Sequence, residues 1–256
     1  MALNLCIIYP VYLRGDIMEN KGAIKLSMDD FSLIKKKFRG KEVKSGGYSD
    51  VYFSNDKAYK VYNKVPCLKN NYGDIIFSEE DVIKNISYFK ENNFESISNI
   101  SNIYFLNGFL VMYEMENISN MKNMKEINEN NFDISLDELK SSWNDALSLA
   151  LELANKNIVM YDLKEDNAFI GDGKFKVCDV DFYKKENINN VLNINYMLVN
   201  TVFIEFIERY LFFYNYECRC DDYLIETKNY VDSAIDDMLL ASSYLSKTLK
   251  DVGKNL

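Results

Sequence analysis

The chain has 256 residues and a formal net charge of -9 at pH 7, and it contains no histidine. Without histidine, a Ser-His-Asp triad, a Cys-His pair and a histidine-ligated zinc site are excluded, so acid–base chemistry has to come from other side chains. The acidic balance argues against a general nucleic-acid-binding protein, which normally presents a basic surface. Hydrophobic residues make up 48% of the chain, which is typical of a globular protein rather than a disordered one.

The amino-terminal residues and the cysteines indicate a cytoplasmic protein. The first ten residues include a short apolar run, but no basic region precedes it and no small-residue cleavage site follows it. The five cysteines are scattered, and Cys218-x-Cys220 has the spacing of neither a zinc ribbon nor a thioredoxin motif. We therefore expect reduced thiols. Residues 1–37 are expected to be an extension that either caps the β-rich part of the chain that follows it or binds a partner.

The first half of the chain has mostly strand character. Residues 41–62 alternate in polarity around Gly46-Gly47 and a second turn at residues 54–56, which predicts three consecutive strands. Residues 78–90 begin with a capping serine and acidic residues and continue with apolar residues at helical spacing, so they predict an amphipathic helix. Strand character returns over residues 103–115, where Asn107-Gly108 is a typical two-residue hairpin turn.

The second half is predominantly helical. From Leu136 onwards one face of a predicted helix carries Trp143, Ala146, Leu147, Ala150, Leu151 and Ala154. A short hairpin is expected around Gly171-Asp172-Gly173. Residues 191–214 form the longest apolar stretch, but charged residues interrupt it, so a buried helix is favoured over a membrane span. These elements predict an α+β fold, with a small β-rich part followed by a larger helical part.

The densest group of chemically active side chains lies between residues 161 and 183. One set follows a predicted helix and the other follows a short strand, and together they comprise Asp162, Lys164, Asn167, Asp179 and Asp181. A magnesium–nucleotide site needs hard oxygen ligands from two loops, and a carboxylate that orients the attacking hydroxyl group. Asn167, Asp179 and Asp162 would supply these three functions.

The order of these residues resembles the eukaryotic-like protein kinase superfamily. The segment from Asp162 to Asn167 reads Asp-Leu-Lys-Glu-Asp-Asn and has the family's catalytic-loop spacing. Asp179-Val180-Asp181 follows at the place of the family's Asp-Phe-Gly. The resemblance extends roughly from residue 38 to residue 215.

Upstream segments resemble further parts of the same family in the same order. Gly46-Gly47-Tyr48-Ser49-Asp50-Val51 looks like the second half of the glycine-rich loop, and Ala58-Tyr59-Lys60 looks like the third-strand lysine motif. Glu79 resembles the helix glutamate that pairs with that lysine. Met112 resembles the gatekeeper, and the segment that includes Glu114 resembles the hinge between the lobes.

The resemblance implies a bilobal protein-kinase-like fold. A small antiparallel β-rich N-lobe would span residues 38–115, and a reduced, mainly helical C-lobe would span residues 116–256. ATP and magnesium are the implied cofactors. Asp162 would accept or orient the proton of the acceptor hydroxyl, and Lys164 would neutralise the transferring phosphate. The implied nucleotide-binding residues are Gly46, Gly47, Val51, Lys60, Glu79, Met112 and Glu114, and the implied metal ligands are Asn167, Asp179 and Asp181.

The chain also departs from the family pattern. Lys44 and Ser49 replace two loop glycines, and Met160-Tyr161 replaces the His-Arg that precedes the catalytic aspartate. Without that arginine, a phosphorylated activation loop would lack its usual partner. Asp181 replaces a glycine and would add a carboxylate to the metal site, and no Ala-Pro-Glu motif is present. Asn193 or Asn195 is a candidate to replace the aspartate that braces the catalytic loop.

The expected function is ATP- and magnesium-dependent phosphate transfer to a hydroxyl group. A protein serine/threonine kinase is favoured because Lys164 is present. A small-molecule kinase of the same fold is the alternative that Asp181 and the missing Ala-Pro-Glu support. A nucleotide-binding pseudokinase is the third alternative, although the full set of catalytic side chains counts against it. We expect no nucleic-acid partner and no membrane span.

Overall fold

The computed structural model describes residues 23–69, 75–127 and 134–214. The part of the predicted C-lobe beyond residue 214 lies outside the described residues, as do three of the five cysteines and part of the asparagine-rich stretch at residues 117–131. In the described part, four α-helices and a mixed six-stranded sheet confirm the α+β class. The chain divides into two compact units. Among the described residues, the first unit comprises 23–67 and 100–116, and the second comprises 68–99 and 117–214.

In chain order the elements are β1 (Ala23–Leu26), α1 (Met28–Lys37), β2 (Val43–Ser45), β3 (Ser49–Ser54), β4 (Lys57–Tyr62), β5 (Leu68–Lys69), β6 (Ile75–Phe77), α2 (Glu79–Glu91), β7 (Ile100–Leu106), β8 (Phe109–Glu116), β9 (Lys122–Asn123), α3 (Leu136–Ala154), β10 (Ile158–Val159), β11 (Ala168–Gly171), β12 (Lys174–Val177), β13 (Lys184–Lys185) and α4 (Val191–Tyr214). A 3-10 turn at Glu165–Asn167 precedes β11. All the long predicted helices and strands that fall on described residues are present.

The first unit is built on the sheet β1-β7-β8-β4-β3-β2. Its strands pair antiparallel except for β1, which pairs parallel with β7. The predicted hairpin turn is confirmed, since Asn107 and Gly108 have φ of 52° and 81°, in the left-handed region that these residue types tolerate. Helix α1 packs Phe31 and Ile34 against a buried cluster that includes Phe38. The described part of the amino-terminal extension therefore caps this sheet.

Helix α2, in the second unit, has the capping interaction that the sequence predicts. Ser78 Oγ accepts a hydrogen bond from Asp81 N at 3.2 Å, and Asp81 Oδ2 accepts one from Ser78 N at 2.9 Å. This reciprocal pair satisfies backbone donors that the first turn of α2 would otherwise leave unpaired.

Helices α3 and α4 form the core of the second unit. The Trp143 ring stacks on Phe203 with ring centroids 5.1 Å apart, and its Nε1 donates to Asn200 Oδ1 at 2.9 Å. The indole nitrogen and the amide oxygen are therefore paired inside this core, as buried polar groups generally are. None of the helices within residues 23–69, 75–127 and 134–214 combines the length and apolarity that crossing a membrane requires.

The hairpin β11–β12 carries the chain to the candidate site. Asp172 has a φ of 53° at its turn, which confirms its predicted role as a turn former. Two backbone hydrogen bonds fix the end of β12: Val177 N donates to Ser96 O at 3.0 Å, and Ser98 N donates to Val177 O at 2.8 Å. The residues that follow, including Asp179, thus leave from an anchored point.

Candidate active site

A buried asparagine on α4 holds the loop that follows β10. Asn195 Oδ1 accepts from Met160 N at 3.1 Å, and its Nδ2 donates to Ile158 O at 2.8 Å and to Ala150 O at 3.3 Å. Its side chain is 0% exposed. Asn193 and Asn195 are the two candidates for the side chain that braces the catalytic loop. Asn195 makes the bracing contact, at Met160, just before Asp162.

Three of the predicted site residues meet within that loop. Asn167 Nδ2 donates to Asp162 Oδ2 at 3.1 Å and to its backbone oxygen at 3.0 Å. Lys164 Nζ lies 3.0 Å from Asp162 Oδ1. Each carboxylate oxygen of Asp162 thus has its own donor, which fixes the orientation of the group.

The second loop is joined to the first through the backbone. Cys178 N donates to Asn167 O at 3.2 Å, which places Asp179 one residue beyond the connection. Asp179 Oδ1 accepts from Asp181 N at 3.2 Å, closing a tight turn. Asp181 is only 2% exposed. The Asp162 loop and the Asp179 loop are therefore hydrogen-bonded to each other in the structure.

Burial and a neighbouring charge change the acidity of Asp162. Burial is the largest influence and raises the pKa of this carboxyl group, and repulsion from Asp179 raises it further. Hydrogen bonds from Lys164 and Asn167 act in the opposite direction without cancelling the rise. A carboxylate with a raised pKa is a stronger base than an ordinary exposed one.

A contact that the sequence did not reveal ties α2 to this site. Asn85 Nδ2 donates to Asp181 O at 2.9 Å and also to Tyr183 O. A single asparagine thus holds two carbonyls of the loop that carries Asp179. Asn85 occupies an ordinary helical position, so no local pattern marks it.

In the first unit, strand register determines which side chains lie beside Lys60. Val51 pairs with Lys60 in β3–β4, and Lys60 pairs with Tyr113 in β4–β8, so the three side chains share one face of the sheet. Lys60 is 5% exposed, and its Nζ lies 5.6 Å and 5.8 Å from the ring centroids of Tyr62 and Tyr113. Aromatic faces at these distances stabilise an ammonium group.

The two residues predicted at the hinge have side chains on the opposite face. Met112 pairs with Val61 and belongs to the buried cluster under α1. Glu114 alternates with Tyr113 along β8, so its side chain also points away from the face of Lys60. The residue of β8 that lies beside Lys60 is therefore Tyr113, and not Met112, the predicted gatekeeper. Sequence reasoning missed Tyr113.

The Glu114 carboxylate is engaged within the first unit. It accepts from Ser101 Oγ at 2.7 Å and from Tyr104 Oη at 3.2 Å, and it pairs with Lys57 Nζ at 3.2 Å. Burial alone would raise the pKa of Glu114, but the hydrogen bonds from Ser101, Lys57 and their neighbours outweigh it and lower the pKa. This carboxylate therefore stabilises the sheet rather than facing a ligand beside Lys60.

The glycine pair forms an exposed turn between β2 and β3. Gly46 N donates to Ser49 O at 2.8 Å, and a Cβ added at Gly46 would lie 3.3 Å from that same oxygen. A Cβ added at Gly47 would meet no atom within 4 Å, and φ is positive at neither position. The fold itself thus gives no reason for glycine at position 47.

Glu79 and the metal ligands were predicted from the resemblance, and their roles stay predictions. Glu79 is the first residue of α2 in the second unit, whereas Lys60 belongs to the first. Within the described ranges, no three or more Asp, Glu, Cys or His side chains form a metal-binding group. The predicted set consists of one amide and two carboxylates, Asn167, Asp179 and Asp181, so that finding does not test it.

Comparisons with known proteins identify no family. No family model matches the chain, and no curated protein matches it significantly. The features that indicate a function are therefore the arrangement of Asp162, Lys164 and Asn167, the adjoining Asp179 loop, and the sequence pattern that contains them.

Proposed function

We propose that the protein is an ATP- and magnesium-dependent phosphotransferase with a protein-kinase-like fold, and that it acts as a protein serine/threonine kinase. One observation carries the proposal. Asp162 has a raised pKa, one carboxylate oxygen faces Lys164 and the other faces Asn167, and the Asp179 loop is hydrogen-bonded to the same Asn167. The five antiparallel strands of the first unit and the mainly helical second unit support the proposed fold.

The proposed reaction is a direct displacement at the γ-phosphorus of ATP. The acceptor hydroxyl oxygen forms a bond to phosphorus, the bond from phosphorus to the bridging oxygen breaks, and ADP leaves. The hydroxyl proton passes to Asp162, which its raised pKa favours. Lys164, whose ammonium group lies beside that carboxylate, neutralises charge on the phosphate in flight.

The donor set of the two loops suits magnesium. Asn167 directs its amide nitrogen towards Asp162, which leaves its amide oxygen for a cation. With the carboxylates of Asp179 and Asp181 it would provide the hard oxygen ligands that Mg²⁺ prefers. A magnesium ion bound there would neutralise phosphate charge.

The first unit supplies the proposed nucleotide-binding residues. Lys60 would bind the α- and β-phosphates, and Val51 would contact the base. Backbone amides of the turn at Gly46 and Gly47 would approach the phosphates because no Cβ intervenes. The exposure of that turn in the structure supports this role.

The proposal is tested by incubating the full chain with magnesium and γ-labelled ATP, then separating protein-bound label from acid-soluble label. Wild type is expected to transfer label, and Asp179→Asn is expected to lose transfer because a cation ligand is removed. Asp172→Asn is the matched control, since it makes the same chemical change at an exposed turn where asparagine also tolerates the positive φ.

The distribution of the label identifies the acceptor. Label on serine or threonine of protein supports the protein kinase, and label on a small hydroxyl compound supports the small-molecule kinase instead. Binding of Mg·ATP with no label transfer to the chain, to generic proteins or to small alcohols would contradict both and favour a pseudokinase.

Gly47→Ala separates a role in binding from a role in folding. Because a Cβ at this position meets nothing within 4 Å, the Tm is expected to match that of wild type. The affinity for Mg·ATP is expected to fall by about tenfold, because the added methyl group keeps a phosphate from the backbone. Calorimetric titration and a thermal melt measure both quantities. An unchanged affinity would remove this turn from the proposed nucleotide site.

A further inference from the structure

Two lysines share one face of the six-stranded sheet in the first unit. Lys44 of β2 is paired with Val51 of β3, and Val51 is paired with Lys60 of β4. Directly paired residues point to the same side of a sheet. Because neighbouring strands lie about 4.8 Å apart, the Cα atoms of Lys44 and Lys60 are separated by about 10 Å, with Val51 between them. Two side chains of this length can therefore contact one ligand from both sides of Val51.

The acidic side chains of the sheet all lie on its other face. They are Asp50, Glu114 and Glu116, whose partners on β4 are Val61, Tyr59 and Lys57. These partners alternate with Lys60 along β4, so they point away from its side of the sheet. Among the described strands of this sheet, the face of Lys44 and Lys60 thus carries basic side chains and no acidic one. The nearest acid along the chain is Glu42, which precedes β2 and is exposed to solvent.

The β2 edge of the sheet gives a ligand access to this row. Strand β2 lies at the end of the strand order, and Lys44 is exposed, as are Gly46 and Gly47 in the turn that follows it. Helix α1 packs on the opposite face, where Phe31 and Ile34 contact the cluster that contains Val61. The helix therefore leaves the face of Lys44 uncovered.

The two ammonium groups determine which ligand suits this face. Like charges that share a face repel each other, and an anion bound between them removes that repulsion. A lysine ammonium group only donates hydrogen bonds, and the oxygens of an ionised phosphate accept them. A single phosphate offers one anionic centre, whereas a chain of two or more phosphates offers one centre to each lysine. The face therefore suits an oligophosphate chain.

We propose that Lys44 is a second phosphate-binding lysine, which holds the phosphate chain of a nucleotide together with Lys60 and favours nucleoside di- and triphosphates over monophosphates. The proposal rests on the phosphotransferase function proposed above. It assigns a role to a position where the kinase-like sequence pattern has a glycine. A glycine would supply no charge there, whereas Lys44 adds a cation to the hold on the phosphates.

The test compares Lys44→Met with wild type in the full chain, by calorimetric titration of Mg·ATP, AMP and inorganic tripolyphosphate. Methionine keeps most of the length of lysine and removes its charge. The affinities for Mg·ATP and tripolyphosphate are expected to fall by about tenfold, and the affinity for AMP is expected to stay unchanged. Added salt is expected to weaken Mg·ATP binding less in the variant than in wild type, because one charge contact is missing.

Lys37→Met is the matched control, since Lys37 is exposed on α1, the helix that packs on the opposite face of the sheet. It removes the same charge and is expected to match wild type with all three probes. Unchanged affinities in Lys44→Met would overturn the inference and leave Lys44 as a solvated lysine of an edge strand. Equal losses in the two variants would also overturn it, because they would indicate a general effect of net charge.

Two further outcomes separate this inference from the proposed function. An equal loss of AMP affinity in Lys44→Met would contradict the preference for a phosphate chain. Wild type that binds tripolyphosphate and not Mg·ATP would refute the nucleotide-dependent function and retain the lysine pair as an oligophosphate site. Wild type that binds neither probe would overturn both.

Discussion

Asp162→Asn is expected to lower the rate of phosphate transfer by about 10³-fold, within the range that removal of a catalytic base produces. The amide has nearly the shape of the carboxylate, but it cannot accept the proton of the acceptor hydroxyl. Binding of Mg·ATP is expected to persist, because the proposed cation ligands, Asn167, Asp179 and Asp181, are unchanged. Label transfer and calorimetric titration on the same preparation measure the two effects.

Although Asp162→Asn is expected to reduce the transfer rate, we do not expect it to reduce the stability of the fold. A raised pKa means that the folded state disfavours the ionised form of Asp162. At pH values above its folded pKa, the ionised carboxylate therefore destabilises the fold, and this destabilisation disappears as the pH falls through that pKa. Asp162→Asn should thus leave the Tm at neutral pH unchanged or higher. Transfer at the wild-type rate would contradict the role of Asp162 as the base.

Asn195→Ala is expected to lower the free energy of unfolding by about 3 kcal/mol or more. The substitution leaves Met160 N and Ile158 O without their side-chain partner inside the protein, and Ala150 O, a carbonyl within α3, loses the bond that it accepts in addition to its helix bond. Each buried group left unpaired costs about 1–3 kcal/mol. Urea unfolding followed by circular dichroism measures the loss. Transfer activity is expected to fall as well, because the loop that carries Asp162 loses its brace.

Asn193→Ala is the matched control on the same helix. Asn193 is half-buried, and substitutions of this kind away from buried networks usually change stability by no more than about 0.5 kcal/mol. Equal losses in the two variants would show that Asn195 does not brace the loop. Asn195→Asp should also be destabilising, because its carboxylate would face the carbonyls that Asn195 Nδ2 now donates to.

Local signals predicted most of the secondary structure correctly. The serine cap at Ser78, the Asn107-Gly108 turn and the helical spacing from Leu136 each act over a few residues, so the sequence shows them directly. The catalytic-loop spacing belongs to the same class, and the structure brings Asp162 together with Asn167.

The features that were missed depend on contacts between distant segments. Choosing Tyr113 over Met112 as the neighbour of Lys60 requires the β4–β8 register, and a shift of one residue reverses every side chain on a strand. Asn85 acquires its role only because α2 packs beside a loop roughly a hundred residues later in the sequence. The polarity pattern along the sequence shows neither the β4–β8 register nor the packing of α2 beside this loop.

The proposed chemistry is tested most directly by a single-turnover reaction, with the full chain in excess over Mg·ATP and the ADP formed measured against time. Wild type is expected to convert the bound ATP to ADP, with the γ-phosphate recovered on a serine, a threonine or another hydroxyl. Asp162→Asn is expected to bind the same ATP and form no ADP on that timescale. ATP that remains bound and intact in wild type, with generic protein and small alcohol acceptors present, would contradict phosphate transfer and leave a nucleotide-binding protein.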